Sequence, residues 1–269
     1  MQSYNNRWIT IFALVLGIIM VIPIYMMVLG SLRSAEHVFD ITLLPTQFQL
    51  SNYQEVVASG FLRSVGNSLF ISAAVTVIAM LFHAMSGYAL ARLNFPGRKY
   101  IFAWMLSTLM IPLAVIMIPL FMITKNLGMA NSYVGLIVPS IFNAYGVFLF
   151  RQFYLNFPKE LEEAAYMEGS SIAGTFFRIV LPLSKSVIIP LTVGFFLANW
   201  NAYLWPLIIN QKEQLWVVQV ALANAIGGGY TIPWNFVLAA SVIAALPTML
   251  LFFLLQRQIV DGIKMSGIK

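Results

Sequence analysis

Cysteine is absent from all 269 residues, which excludes disulfide bonds, thiolate metal sites and cysteine nucleophiles. Histidine occurs only twice, too sparsely to build a histidine-rich metal cluster. Charge is scarce as well: Asp, Glu, Lys and Arg make up 9% of the chain, against roughly a quarter in a soluble domain. A water-soluble body of this size needs more polar surface than that. Apolar side chains account for 60% of the residues, and the mean hydropathy is +0.85. The composition places the chain in a lipid bilayer. Its formal charge of +6 is not a nucleic-acid signal, because no Lys/Arg cluster with interleaved aromatic residues occurs.

A helix needs about 20 mainly apolar residues to cross roughly 30 Å of hydrocarbon. Long stretches free of Asp, Glu, Lys and Arg give six expected spans, at about 8–32, 64–91, 101–124, 131–152, 186–209 and 234–255. The last is separated from a longer charge-free stretch by Gly227-Gly228-Gly229 and Pro233, which leaves 215–226 as an amphipathic surface or half-inserted segment. The expected fold class is an all-α polytopic membrane protein, with 1–269 forming a single transmembrane domain. The first stretch is longer than a signal-peptide core and no small-residue cleavage site follows it, so it reads as an uncleaved anchor. Pro23, Pro112, Pro119, Pro139, Pro190 and Pro247 are expected to bend helices around a cavity.

Six spans put both termini on one side. That side carries eleven Lys/Arg and five acidic residues, the other side four of each. The whole basic surplus therefore lies with the termini, which are expected in the cytoplasm. The outer loop between Arg33 and Arg63 suggests a turn at Leu44-Pro45 followed by a short surface helix starting near Ser51. The only sizeable cytoplasmic structure is Arg151 to Lys185, which holds four of the nine acids. No glycine-rich phosphate loop followed by Lys-Ser/Thr is present, so any energy input has to come from another subunit.

Within that loop, 156–182 carries a distinctive pattern. Pro158 suits a first helical position, and Glu160, Glu162 and Glu163 favour the positive end of a helix dipole. Gly169 supplies the left-handed conformation that ends the helix. Leu161, Ala164, Ala165 and Glu168 fall on one face at i, i+3, i+4 and i+7, where small Ala residues admit a partner's backbone closely. A second helix is expected at about 171–179, ended by Leu181-Pro182. Taken alone, the glutamates equally suit a solvated, capped helix.

The spacing of Glu163-Ala164-Ala165, Gly169 and Ile179-Val180-Leu181-Pro182 closely resembles the "EAA" coupling motif of ABC importer permeases. The resemblance covers nearly the whole chain and points to the smaller permease subunit of maltose-type, carbohydrate-uptake systems. It includes Ser51-Asn52-Tyr53, Asn67-Ser68, the run from Tyr88 to Arg98, Phe148 to Phe153, and Trp200 to Pro206. Glu168 and Ser170 depart from that family's usual Asp and Ala. The resemblance implies a type I importer permease fold and an ATPase-docking set of Glu160, Glu163, Ala164, Ala165, Glu168 and Gly169. It adds a C-terminal ATPase contact through Gln256, Arg257, Asp261 and Gly262. It also implies the partners: a second homologous permease subunit, two ATPase subunits that use ATP and Mg, and an extracytoplasmic solute-binding protein. The chain itself would then be non-catalytic, without a cofactor or metal, in a bacterial or archaeal inner membrane.

A polar solute crosses hydrocarbon only where its hydrogen-bonding groups are matched along the path. Asn199, Trp200, Asn201 and Tyr203, at the outer end of the fifth span, offer amides for sugar hydroxyls and rings for sugar faces. The alternative is that the asparagines join helices and the rings belong to an interfacial belt. His83, the one histidine inside a span, is a functional candidate or a packed, hydrogen-bonded side chain. Cargo is expected to be a sugar or oligosaccharide; a polyol or glycerol phosphate is the alternative, with the absence of Lys or Arg deep in a span weighing against a phosphate. An ion-coupled secondary transporter would bury carboxylates, yet all nine acids fall in loops or tails. An intramembrane enzyme would need a metal cluster or an activated nucleophile that this chain lacks.

Overall fold

A backbone in hydrocarbon has to satisfy its own N–H and C=O groups, and a helix does so within one segment. The computed structural model describes residues 7–40, 42, 44, 47–227 and 232–266, with side chains as far as 257, and holds only helices and their connections among the described residues. In chain order these are α1 (Arg7–Ser31), α2 (Ser51–Ala58), α3 (Phe61–Arg92), α4 (Arg98–Ser107), α5 (Leu113–Asn126), α6 (Tyr133–Ile141) and α7 (Ala144–Leu155). There follow α8 (Lys159–Met167), α9 (Ile172–Thr175), α10 (Leu181–Leu183), α11 (Lys185–Trp200), α12 (Leu204–Ile209), α13 (Val218–Gly227) and α14 (Trp234–Ser266).

Among the described residues, three helices are long and apolar enough to cross a bilayer unbroken: α1, α3 and the Trp234–Arg257 part of α14. Three further pairs pass only as bent spans, giving up to six. Where one span was expected over 101–124, α4 with its 3-10 extension Thr108–Met110 meets α5 at 106°. Pro112 explains this break, since it pushes the preceding Ile111 into an extended conformation (φ −92°, ψ 114°). The other five prolines expected to bend helices lie inside continuous ones.

The remaining breaks are made by polar side chains. α6 and α7 meet at 41° across Phe142-Asn143, inside the expected span 131–152. Asn143 Oδ1 accepts from the Tyr145 N–H at 2.9 Å, and the Asn143 N–H donates to His83 Nε2 at 3.2 Å. Gly146 makes room for that histidine: a Cβ there would lie 2.2 Å from His83 Nδ1. The helical run Ile172–Leu183 meets α11 at 76°, at Ser184. Its hydroxyl donates to the Val180 carbonyl at 2.6 Å. The expected span 186–209 is also divided, into α11 and α12, and Pro206 lies in the first turn of α12, where its missing N–H leaves no intrahelical bond unmade.

The chain divides into two compact units. One takes Met1–Val65 and Ala221–Leu246. In it, nearly every apolar side chain of α1 from Trp8 to Tyr25 is exposed, a surface suited to lipid. Asn52 ties its polar end together, donating to the Ser31 and Arg33 carbonyls at 2.9 Å each and accepting from Asn235 at 2.9 Å.

The other unit takes Gly66–Val220 and Pro247–Lys269. Here α3 presents residues at helical spacing to two apolar clusters. Ile71 and Val75 pack with Leu136, Trp205, Ile209 and Val217. Met80, Ala84 and Tyr88 pack with Phe150, Tyr154, Phe157 and Phe176.

Candidate functional site

The segment expected to dock begins at α8. Pro158 is its N-cap, Glu160 and Glu162 lie in the first turn, and Gly169 at φ +81° closes it, a conformation that favours glycine. The next helix does not stop at Leu181-Pro182 as expected. A π-turn over Phe176–Val180 widens the backbone just before Pro182, and the helix runs through to Leu183.

The two faces of α8 differ sharply. Glu160, Leu161, Glu163, Ala164, Glu168 and Gly169 are exposed, and Met167, 89% exposed, is the most open of the large apolar side chains. Ala165, assigned to the docking face from sequence, is instead 4% exposed and faces inward with Glu162. The inward face of α8 is formed by the i, i+3 pair Glu162 and Ala165.

Glu162 is a buried acid with a full set of neighbours. Its Oε1 lies 3.0 Å from Arg92 Nε, an ionic contact that lacks the alignment of a hydrogen bond. Its Oε2 accepts from the Tyr88 hydroxyl at 3.0 Å, and the Tyr88 and Tyr166 hydroxyls are 3.3 Å apart. Arg92 also donates through Nη2 to the Phe157 carbonyl, just ahead of α8.

A second polar site lies deeper in the same unit. A cavity of about 210 Å³ is lined by Ser68 of α3, Ser140 and Asn143 at the α6–α7 break, and Asn199, Trp205 and Val217. No charged side chain lines it. Asn199 donates one Nδ2 hydrogen to the Phe195 carbonyl at 2.8 Å, and its Oδ1 has no partner among the described residues. Trp205 Nε1 is committed to the Gly135 carbonyl at 3.1 Å. Of the four pathway candidates, only Asn199 reaches this cavity. Trp200 is buried and stacked on Phe196. Asn201 is exposed, donating to the Leu197 carbonyl and accepting from Gln219 Nε2 at 3.2 Å. Tyr203 is exposed. At the C-terminus, Gln256 and Arg257 are exposed, whereas the side chains of Asp261 and Gly262 lie outside the described residues.

Residues 84–265 match the family described as binding-protein-dependent transport system inner membrane component. The chain belongs to that family. It is 32% identical over 267 residues to the arabinooligosaccharides transport system permease protein AraQ of Bacillus subtilis, covering 97% of this chain and 95% of that one. It is 34% identical over 262 residues to the sn-glycerol-3-phosphate transport system permease protein UgpE of Brucella abortus, covering 93% of each. In fold it matches, at TM-score 0.82, a chain from the crystal structure of a bacterial ABC transporter involved in the import of the acidic polysaccharide alginate. That match covers 96% of this chain and 98% of the other at 23% identity.

This family member is therefore a multi-pass inner-membrane permease subunit of an ABC importer. The ion-coupled reading falls away. The family match spans both α8 and most of the cavity wall. Sequence reasoning missed Arg92, Tyr88 and Glu162 as a unit, and Ser140 and Asn143 as cavity residues. Glu162 and Ala165 at i and i+3 carried the only local signal for the first group. The second had none, because two serines or asparagines among apolar residues read equally well as interhelical contacts.

Proposed function

We propose that this permease forms half of the pathway for a neutral sugar or oligosaccharide. The observation that carries the cargo reading is the cavity: hydroxyls of Ser68 and Ser140, amides of Asn143 and Asn199, a Trp ring, and no cation. Such a lining suits sugar hydroxyls and offers a phosphate no cation to pair with. The name of the AraQ relatives, arabinooligosaccharide transport permeases, agrees with it, while that of the UgpE relatives names a glycerol phosphate.

The driving subunits engage α8. Its exposed Glu160, Glu163, Ala164, Glu168 and Gly169, with Met167 as an apolar anchor, form the docking face for an ATPase subunit. Exposed Gln256 and Arg257 add a second contact together with the tail residues Asp261 and Gly262. ATP and Mg belong to the ATPase subunits, and this chain holds no cofactor. A second permease subunit completes the pathway, and a binding protein delivers solute on the face opposite the termini, which lie in the cytoplasm as the distribution of basic residues indicates.

The test is uptake by proteoliposomes carrying the full transporter with its binding protein. ATP-dependent uptake of a neutral oligosaccharide, uninhibited by excess glycerol 3-phosphate, is expected. Uptake confined to the phosphorylated solute overturns the cargo reading. Glu163→Lys should remove the ATPase subunit from the purified complex, and its retention overturns the docking face.

A further inference from the structure

α3 differs from the three bent spans of the unit that holds its residues from Gly66 onward. It runs 32 residues without a proline or a break, while its neighbours are bent by 106°, 41° and 76°. An unbroken helix of packed residues can transmit displacement along its axis, whereas a sharply kinked one absorbs it at the break. Both ends of this rod are bonded to something functional. Its last turn holds Arg92 and Tyr88, which grip α8 at Glu162 and the preceding turn at the Phe157 carbonyl. Two attachment points fix the orientation of α8 as well as its position.

At the other end, Asn67 Nδ2 donates to the Gln214 and Trp216 carbonyls at 2.9 Å each, and Ser68 Oγ accepts from the Val218 N–H at 2.8 Å. Ser68 and Val217 are cavity-wall residues. From Ser68 to Arg92 the helix rises about 36 Å. The segment beneath the exposed docking face and the wall of the cavity are thus joined by one unbroken helix.

We propose that α3 carries the movement of α8 to the cavity wall, with Arg92, Glu162 and Tyr88 as positioning residues that latch it to α8. The burial of the pair suits this task. The side chains of Arg92 and Glu162 are 8% and 9% exposed, so separating them strands two desolvated charges, and the joint resists opening under load. An exposed pair would slip at little cost. The inference rests on the reading that an ATPase subunit acts on α8.

The test uses the complete transporter in proteoliposomes and reads solute imported per ATP hydrolysed, together with the amount of ATPase subunit bound. Glu162→Gln keeps the shape and removes the charge. It should lower the ratio by about threefold to thirtyfold with the ATPase still bound. Tyr88→Phe keeps the ring in its core and should lower the ratio by about threefold. The exchange Arg92→Glu with Glu162→Arg should recover most of what Glu162→Gln loses. An unchanged ratio in both Glu162→Gln and Tyr88→Phe overturns the rod, as does release of the ATPase by Glu162→Gln, which would make the pair part of docking. If instead Glu163→Lys leaves the ATPase bound, the docking reading fails by itself.

Discussion

The two ends of α3 sit in polar surroundings of opposite kinds. At Arg92 the polar groups are charged and buried, paired ionically with Glu162 of another helix and bonded to the carbonyl of Phe157 in its leading turn. At Asn67 and Ser68 they are neutral, bonded to backbone amides and carbonyls, and next to a cavity whose Asn199 has acceptor capacity to spare. A buried charge is held where nothing moves past it, because each unpaired state is costly. Neutral groups suit a passage, because they exchange one partner for another at about 1 kcal/mol. On the proposed reading, charge marks the joint and neutral polarity marks the path.

That contrast predicts unequal costs of breakage. Arg92→Met leaves the Glu162 carboxylate buried and unpaired, and should destabilise the purified subunit by about 3–5 kcal/mol, read from the denaturation midpoint followed by Trp fluorescence. Arg92→Met with Glu162→Leu should be less damaging than Arg92→Met alone, since an apolar pair leaves no stranded charge. If the double variant is the worse of the two, the pair contributes no more than packing. At the other end Asn67→Ala removes both donations to the Gln214–Trp216 turn and strands those carbonyls and the Tyr133 hydroxyl, which donates to Asn67 at 2.7 Å. Its cost should be about 1–3 kcal/mol in the same measurement. A loss equal to that of Arg92→Met would erase the distinction between the ends.

The two regions also differ in how far the amino-acid sequence reveals them. α8 is legible because its signals are local: a proline, acids in the first turn, and a glycine where φ is positive. Its rotation is not, since Ala164 and Ala165 are too alike to say which faces in, and Glu162 finds its partner in Arg92, seventy residues earlier. The spans are legible as charge-free stretches, but their interruptions are only partly so. Pro112 announces its break through the residue before it, whereas the breaks at Asn143 and Ser184 rest on His83 and on a hydroxyl bonded four residues back. The cavity is the least legible part. Its walls come from α3, the α6–α7 break, α11 and α12, and only the packing of these elements in space brings Ser68, Ser140 and Asn199 together.

The finest test of the path lies within α11 and the residue that caps it. Asn199 and Asn201 are two positions apart, both donate to a carbonyl four residues back, and from sequence they are equivalent. The structure separates them: Asn199 lines the cavity, while Asn201 is exposed and reaches Gln219. Asn199→Ala should therefore raise the solute concentration for half-maximal uptake by about twofold to tenfold, the value of one lost hydrogen bond. Asn201→Ala should leave that concentration unchanged and shift stability by less than about 0.5 kcal/mol. The reverse outcome would move the solute's route from the cavity to the exposed turn after Trp200. Equal effects would mean that a solute large enough to touch both, such as an oligosaccharide, spans the turn and the cavity at once.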